Sequence, residues 1–225
     1  MSLDMVIYTD RYGFSITNYM IGILIMMLII SWIRTRNLSH TTCAAIFGIY
    51  LLFVIRNTLF PLHIAGGFAD AMRAGSFMSG FNLIPFNFPY SPEISSITLE
   101  LGLNIVLLVP FGFGLSFLVP FRAKNVFWLA PAVGISIEAI QLVISLIIGY
   151  PYRVIDINDA IMNTLGFLIG YGIFRLFAWL YIAMTHRLNI EHVGLGKYIY
   201  GIANRATDQE SADYNRLDSG IELTP

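Results

Sequence analysis

Five runs of apolar residues limit what this chain can fold into more than any other feature of its sequence. Each run has about twenty residues, which as a helix span the roughly 30 Å hydrocarbon layer of a bilayer. The runs are Ile16–Ile33, Thr41–Leu62, Leu99–Val119, Val126–Ile148 and Ile157–Ala178. The sequence therefore predicts an all-α polytopic membrane protein with about five transmembrane helices.

The composition agrees with a membrane protein and excludes several other classes. Of the 225 residues 56% are hydrophobic and 12% are charged, about half the charged share of an ordinary soluble domain. A formal net charge of −1 gives no excess of cations for a nucleic-acid partner. The single cysteine, Cys43, excludes an internal disulfide, a cysteine zinc site and an iron–sulfur cluster.

Lys and Arg in the short loops predict the orientation of the spans, because cytoplasmic loops carry an excess of positive charge. The loops after the first, third and fifth spans lie on one side and carry Arg34, Arg36, Arg122, Lys124, Arg187, Lys197, Arg205 and Arg216. The opposite side has Arg11, Arg73 and Arg153. We therefore predict a multi-pass cell-membrane protein with its N-terminus and the segment His63–Thr98 outside and its C-terminus in the cytoplasm.

Two segments outside the spans differ in character. Residues 1–185 are predicted to form the transmembrane domain, and residues 186–225 are predicted to form a polar cytoplasmic tail. Within this tail Ala206–Pro225 is expected to be disordered and dispensable. Phe81–Pro92 contains four aromatic residues and three prolines, which exclude a regular helix. We expect this irregular outer segment at the lipid boundary or over a cavity.

Two charged residues lie deep in the predicted spans. Arg56 is about 9 Å from the outer end of the second span and Glu138 about 15 Å from that of the fourth, at 1.5 Å per residue. A charge at the centre of a bilayer costs about 2.5–3.5 kcal/mol on insertion scales, so each needs a partner or a function. We expect Arg56 and Glu138 to pair.

Further polar residues recur at helical spacing on two spans. The fourth span carries Gly134, Glu138, Gln141 and Ser145 on one face, which we expect to be turned to protein or water. The fifth carries Asp156, Asp159, Asn163, Gly166 and Gly170 on one face, and Gly166-x-x-x-Gly170 permits close approach of another helix. Asn104 lies at similar depth in the third span.

Each of these residues also has a purely structural interpretation. Asp156 and Asp159 can be an N-cap and a first-turn acid of a helix. Asn104, Gln141 and Asn163 can serve as hydrogen bonds between helices. A buried pair of Arg56 and Glu138 is by itself weak evidence of function. Against this, all these groups share the predicted outer half of the membrane, while the inner halves are nearly all apolar.

The ordered series of these residues resembles the VanZ-like family over about Tyr50–Gly172. The matching elements are Arg56 with Pro61, the N-x-x-P-F of Asn82, Pro85 and Phe86, the N-x-x-x-x-x-P-x-G of Asn104, Pro110 and Gly112, the E-x-x-Q of Glu138 and Gln141, and Arg153, Asp156, Asp159, Asn163 and Gly166. The resemblance implies a small polytopic membrane protein. It also implies a link to resistance against the glycopeptide teicoplanin, and a Gram-positive source.

The first functional hypothesis is a binding protein of the cell envelope. An outward-facing polar cavity would recognise a membrane lipid, a lipid-linked wall precursor or a lipoglycopeptide, because arginine suits phosphate or carboxylate and amides suit sugar hydroxyls. The predicted ligand-binding residues are Arg56, Asn82, Asn104, Gln141, Arg153, Asp156 and Asn163.

The second hypothesis is an intramembrane enzyme acting on such a ligand, with Glu138 and Asp159 as catalytic acid and base. No cofactor is expected, although three acids on two helices are also compatible with a divalent metal. The sequence has no adjacent Ser–His or Cys–His pair, no H-E-x-x-H motif and no glycine-rich phosphate loop. A transporter is a third possibility, disfavoured by the lack of an inverted repeat.

Overall fold

The computed structural model describes residues 5–7, 16–60, 62–65, 67–88 and 94–219. Its helices are α1 (Ile16–Thr35), α2 (Leu38–Leu59), α3 (Gly67–Ala74), α4 (Ile94–Leu115), α5 (Ala123–Ile148), α6 (Ile157–Leu188) and α7 (Gly194–Ser219), with a 3₁₀ turn at Phe77–Gly80. Its short strands are β1 (Met5–Ile7), β2 (Leu62–Ala65), β3 (Phe81–Asn82) and β4 (Ile155–Asp156). The fold is helical, as predicted.

Each of the five predicted spans corresponds to one helix of the described chain. By length and composition α2, α4, α5 and α6 can each cross a membrane, and Tyr19–Thr35 of α1 is a shorter apolar helix. The chain is therefore an all-α polytopic membrane protein. The main difference from the prediction is at α6, which continues beyond Ala178 to Leu188. Asn189 follows in the left-handed conformation, with a φ of 48°, and ends the helix.

The centre of the bundle is the contact between α4 and α6, with α5 and α7 also packed against α6. A Cβ atom added at Gly166 would overlap the backbone carbonyl of Ile105, and one at Gly170 the carbonyl of Val109. Gly112 of α4 lies equally close to the carbonyl of Phe167. The close approach predicted from Gly166-x-x-x-Gly170 is confirmed, and α4 is the partner helix.

The bundle has two unlike ends. The turns at 36–37, 116–122 and 189–193 lie at one end, where the ring of His40 contacts that of Tyr198 and the Tyr198 hydroxyl donates to the carbonyl of Phe117. Because most of the loop arginines and lysines are here, we call it the basic end. The opposite end, with 62–65, 67–88 and 149–156, is called the polar end. Which end faces outward stays a prediction, and Arg11 lies outside the described residues.

The C-terminal tail is helical over its described part, whereas the sequence predicted disorder for Ala206–Pro225. Helix α7 continues to Ser219, while 220–225 lie outside the described residues. Its first half docks on the basic end, where Ile202 and Ala203 are buried and burial raises the pKa of Tyr198 to about 12. Composition missed this helix because docking of its apolar face outweighs the polar content of its remaining residues.

The Phe- and Pro-rich segment is irregular, as predicted, over its described residues 81–88. Strand β3 pairs in parallel with β4, Phe81 opposite Ile155 and Asn82 opposite Asp156. Phe86 has a φ of 60° in the turn that follows. The side chains of Leu83, Ile84 and Phe86 are exposed. Residues 89–93 and Pro61 lie outside the described part of the chain.

Candidate functional site

A cavity of about 510 Å³ lies among α2, α4, α5 and α6, towards the polar end. Six of the nine predicted site residues line it, namely Asn104, Glu138, Gln141, Arg153, Asp159 and Asn163. The remaining lining residues are Tyr50, Phe53, Asn57, Thr58, Glu100, Leu103, Val106, Leu107, Pro110 and Ile137. The predicted grouping of polar residues at one depth is therefore present as one cavity wall.

The two carboxylates come from facing helices. Gly134, Glu138, Gln141 and Ser145 are all buried on α5, so the predicted stripe is the face turned into the protein. Glu138 Oε2 accepts a hydrogen bond from the backbone N–H of Asp156 at 3.1 Å. On α6, Asp159 accepts a hydrogen bond from Asn104 Nδ2 at 2.5 Å, which joins α6 to α4. Each carboxylate is held by one donor and still faces the cavity.

Two donors of the cavity wall are directed at the C-terminal end of α2. Arg153 NH2 donates to the carbonyls of Asn57 and Phe60, both at 3.1 Å. Gln141 Nε2 donates to the carbonyl of Thr58 at 3.1 Å. The last carbonyls of a helix have no partner within the helix, so these two side chains satisfy them. Gln141 thereby joins the end of α2 to α5, and Arg153 joins it to the loop that follows α5.

A second polar network lies behind the cavity. Asp156 is the N-cap of α6, where Oδ1 accepts from the Asn158 N–H at 2.7 Å and Oδ2 from Asn82 Nδ2 at 2.9 Å. Asn158 Oδ1 accepts from the backbone N–H of Phe86 at 2.6 Å. Asn82 and Asp156 therefore hold the 81–88 segment against α6 and do not line the cavity. Their predicted ligand-binding role stays a prediction.

The expected pair between Arg56 and Glu138 is wrong. Arg56 is exposed, does not line the cavity, and has no acidic side chain within ion-pair distance among the residues that the structure describes. The reason is rotational, since one residue step turns a helical side chain by about 100°. When Phe53 and Asn57 face the cavity, Arg56 points aside. The similar depths of Arg56 and Glu138 in their spans therefore did not mean that the two side chains face each other.

Sequence reasoning missed several residues of the cavity wall. Tyr50, Phe53 and Asn57 come from α2, where the spacing i, i+3, i+7 was a usable signal. Glu100 comes from α4, four residues before Asn104 and on the same helix face. The Tyr50 hydroxyl donates to the carbonyl of Leu107, so it ties α2 to α4.

Besides Ser145 Oγ on α5, two buried polar atoms near the site have no hydrogen-bond partner among the described residues. Asn163 is 2% exposed, lines the cavity, and its Oδ1 is one of them. The hydroxyl of Tyr152, in the loop before β4, is the other. Burial raises the pKa of Tyr152 above its ordinary value and the Arg153 guanidinium lowers it, so this hydroxyl stays protonated.

The described residues contain no group of three or more His, Cys, Asp and Glu side chains arranged to hold a metal ion. Asp156 accepts hydrogen bonds at both of its oxygens, from Asn158 and Asn82, and does not line the cavity. The chemistry that the cavity itself offers is hydrogen bonding and charge, with two neighbouring carboxylates, Glu138 and Asp159, in its wall.

The fold and the cavity define the class, a polytopic helical membrane protein with an open, carboxylate-containing cavity among its spans. Residues 47–178, more than half of the chain, match the model of the family described as VanZ/LLP1. The chain therefore belongs to the VanZ/LLP1 family, which confirms the resemblance seen in the sequence. Neither a curated protein nor a solved structure matches it.

Proposed function

We propose that this protein binds the polar head of a membrane amphiphile in the cavity and thereby contributes to glycopeptide resistance at the cell envelope. The amphiphile would be a lipid-linked wall precursor or a lipoglycopeptide such as teicoplanin. Membership of the VanZ/LLP1 family supports a teicoplanin-resistance type of membrane protein. The observation that carries the proposal is the combination of a polar interior with an apolar, exposed rim.

The rim supports entry from the lipid phase. Phe53 on α2 is 58% exposed, and Leu103 and Val106 on α4 are 58% and 67% exposed, although all three line the cavity. They belong to helices long and apolar enough to cross a membrane, so acyl chains would surround this side. A head group could enter between α2 and α4 while its chain stays in the hydrocarbon along these side chains.

The polar end supports recognition at the outer leaflet if the charge asymmetry of the loops is read by the positive-inside rule. A wall precursor or an antibiotic would meet the cavity from that side. Exposed Leu83, Ile84 and Phe86, on the segment held by Asn158, would then lie near the outer lipid boundary. The segment would be a membrane-facing edge of the site.

A second candidate is an enzyme that modifies the bound head group, with Glu138 and Asp159 as acid and base. One observation favours it, namely that these carboxylates come from facing helices and are electrostatic neighbours. Two interacting carboxyl groups can share a proton and exchange it with a substrate. Transport of the ligand is a third candidate, which no specific contact favours.

The test removes the charges and preserves the shape. Glu138→Gln and Asp159→Asn should leave insertion and accumulation in the membrane unchanged and abolish protection of a susceptible Gram-positive host against teicoplanin. Asp70→Asn is the matched control, because Asp70 is an exposed acid whose partner is Arg73, outside the cavity. It should protect like the parent.

Full protection by normally accumulating Glu138→Gln and Asp159→Asn variants would contradict both the binding and the enzyme proposals. If protection is lost, incubation of the parent protein with a purified lipid-linked precursor separates the two. A binder changes only the occupancy of the ligand, whereas an enzyme releases a product of altered mass.

A further inference from the structure

Three side chains of the cavity wall donate hydrogen bonds to protein acceptors. Asn104 Nδ2 donates to Asp159, Gln141 Nε2 to the carbonyl of Thr58, and Arg153 NH2 to the carbonyls of Asn57 and Phe60. Carbonyls and carboxylates only accept, so the geometry fixes which amide atom points at the protein. The amide oxygens of these side chains are therefore turned elsewhere.

The acceptors of the wall are in surplus. Among the described residues Glu138 accepts one hydrogen bond, at Oε2, and Asp159 accepts one, at Oδ1. Glu138 Oε1 and Asp159 Oδ2 are left for a ligand. Asn163 adds an independent observation, because this 2% exposed side chain lines the cavity with no partner for its Oδ1. A buried acceptor normally has a donor, so this one indicates a missing N–H or O–H.

The charge balance points the same way. The lining residues include two acids on α5 and α6, Glu138 and Asp159, and one cation, Arg153. Arg153 already caps the end of α2, and Arg56, the second arginine considered for an anionic ligand, lies outside the cavity. An anionic head group would add a negative charge to this wall, whereas a cation with N–H donors would match both its charge and its acceptors.

We propose that the cavity selects amphiphiles whose head group carries a protonated amine, held by Glu138, Asp159 and Asn163. This inference rests on the binding function proposed above and adds the chemistry of the head. The ammonium donates to the two carboxylates and to Asn163 Oδ1, and the apolar chain leaves past Phe53 and Val106. An amino sugar, an amino acid head group or a basic lipopeptide would each offer this group.

The experiment compares three probes with one chain and different heads. Dodecylammonium chloride, dodecyl glucoside and dodecyl phosphate are titrated against the full-length protein in phosphatidylcholine nanodiscs, and the signal of empty nanodiscs is subtracted. We expect dodecylammonium to bind about tenfold tighter than dodecyl glucoside, the gain from one charge-assisted hydrogen bond, and dodecyl phosphate to bind most weakly. The order in the parent protein needs no variant, so misfolding of a variant cannot obscure it.

Variants then assign the preference to the cavity. Glu138→Gln combined with Asp159→Asn should reduce the ammonium preference to about that of the glucoside, and Asn163→Leu should weaken ammonium binding. Asp70→Asn, which removes an acid outside the cavity, should keep the parent order. An ammonium preference that survives the double variant would overturn the inference, because selection would then arise elsewhere.

The remaining outcomes separate this inference from the proposed function. Equal or tighter binding of the glucoside or the phosphate would overturn the amine inference alone, since an amphiphile still binds. Absence of saturable binding by all three probes would overturn the binding function itself, and the amine inference with it.

Discussion

At the residue scale, two arginines near the end of α2 have opposite environments. Arg153 is half-buried and donates to two terminal carbonyls of α2, while Arg56, on α2 itself, is exposed and outside the cavity. Arg153 therefore stabilises the end of a helix, whereas Arg56 has no acidic side chain within ion-pair distance among the described residues. The depth of an arginine in the predicted spans did not indicate whether it lines the cavity.

This contrast gives a matched pair of variants. Arg153→Gln should lower the free energy of unfolding by about 1.5–3 kcal/mol, because it removes charge-assisted hydrogen bonds to two terminal carbonyls of α2. Arg56→Gln should change it by no more than about 0.5 kcal/mol, as expected for an exposed position. Denaturant titration of the purified protein in detergent measures both. Equal losses would mean that Arg56 has a partner after all.

At the element scale, small residues decide how α4 and α6 meet. Gly166 and Gly170 of α6 and Gly112 of α4 each lie against a backbone carbonyl of the other helix. Without a hydrophobic driving force between helices inside a bilayer, this close packing supplies much of the association. The same contact brings Asn104 to Asp159, so the packing of α4 against α6 also positions the cavity wall.

Gly170→Ala tests the close packing of α4 against α6. Gly172→Ala, two residues further along the same helix, is its control. The added methyl at 170 would overlap the carbonyl of Val109, so we expect a loss of about 1–3 kcal/mol in stability. At 172 nothing lies within 4 Å, and alanine should be neutral or stabilise by up to about 1 kcal/mol. Thermal unfolding in detergent distinguishes them. A tolerated Gly170→Ala would mean that the two helices can separate at little cost.

At the scale of the whole molecule, the two ends are chemically distinct. The cavity and its supporting network lie towards the polar end, while an aromatic cluster of Phe113, Phe117, Phe174 and Phe177 fills the basic end between α4 and α6. The loop charges then predict that the cavity opens on the outer side.

Cysteine labelling tests this orientation. In a Cys43→Ala background, a cysteine at Ser79 should react with a membrane-impermeant maleimide added to intact cells, and one at Thr35 should react only after lysis. Both positions are exposed, so accessibility within the protein does not distinguish them. Labelling at 35 and not at 79 would place the cavity on the cytoplasmic side.

Much of the architecture could be predicted from the sequence, because its causes are local. A run of about twenty apolar residues must satisfy its own backbone in lipid, so it is a helix wherever it packs. The burial of Glu138 and Gln141 followed from their helical spacing, and the cap at Asp156 from its position before α6. The family also could be recognised from an ordered series of such residues.

Only the tertiary structure decided which polar groups meet. Helices that are apolar on nearly every side do not show by sequence which face is turned inward, so the sequence could not exclude Arg56 and indicated Asn57 and Glu100 only through their helical spacing. Arg153 with the end of α2, and Asn158 with the turn at Phe86, join residues far apart in the chain. Their pairing depends on the rotation and register that the packing of all the helices fixes together, which is why the surplus of acceptors in the cavity became visible only in the fold.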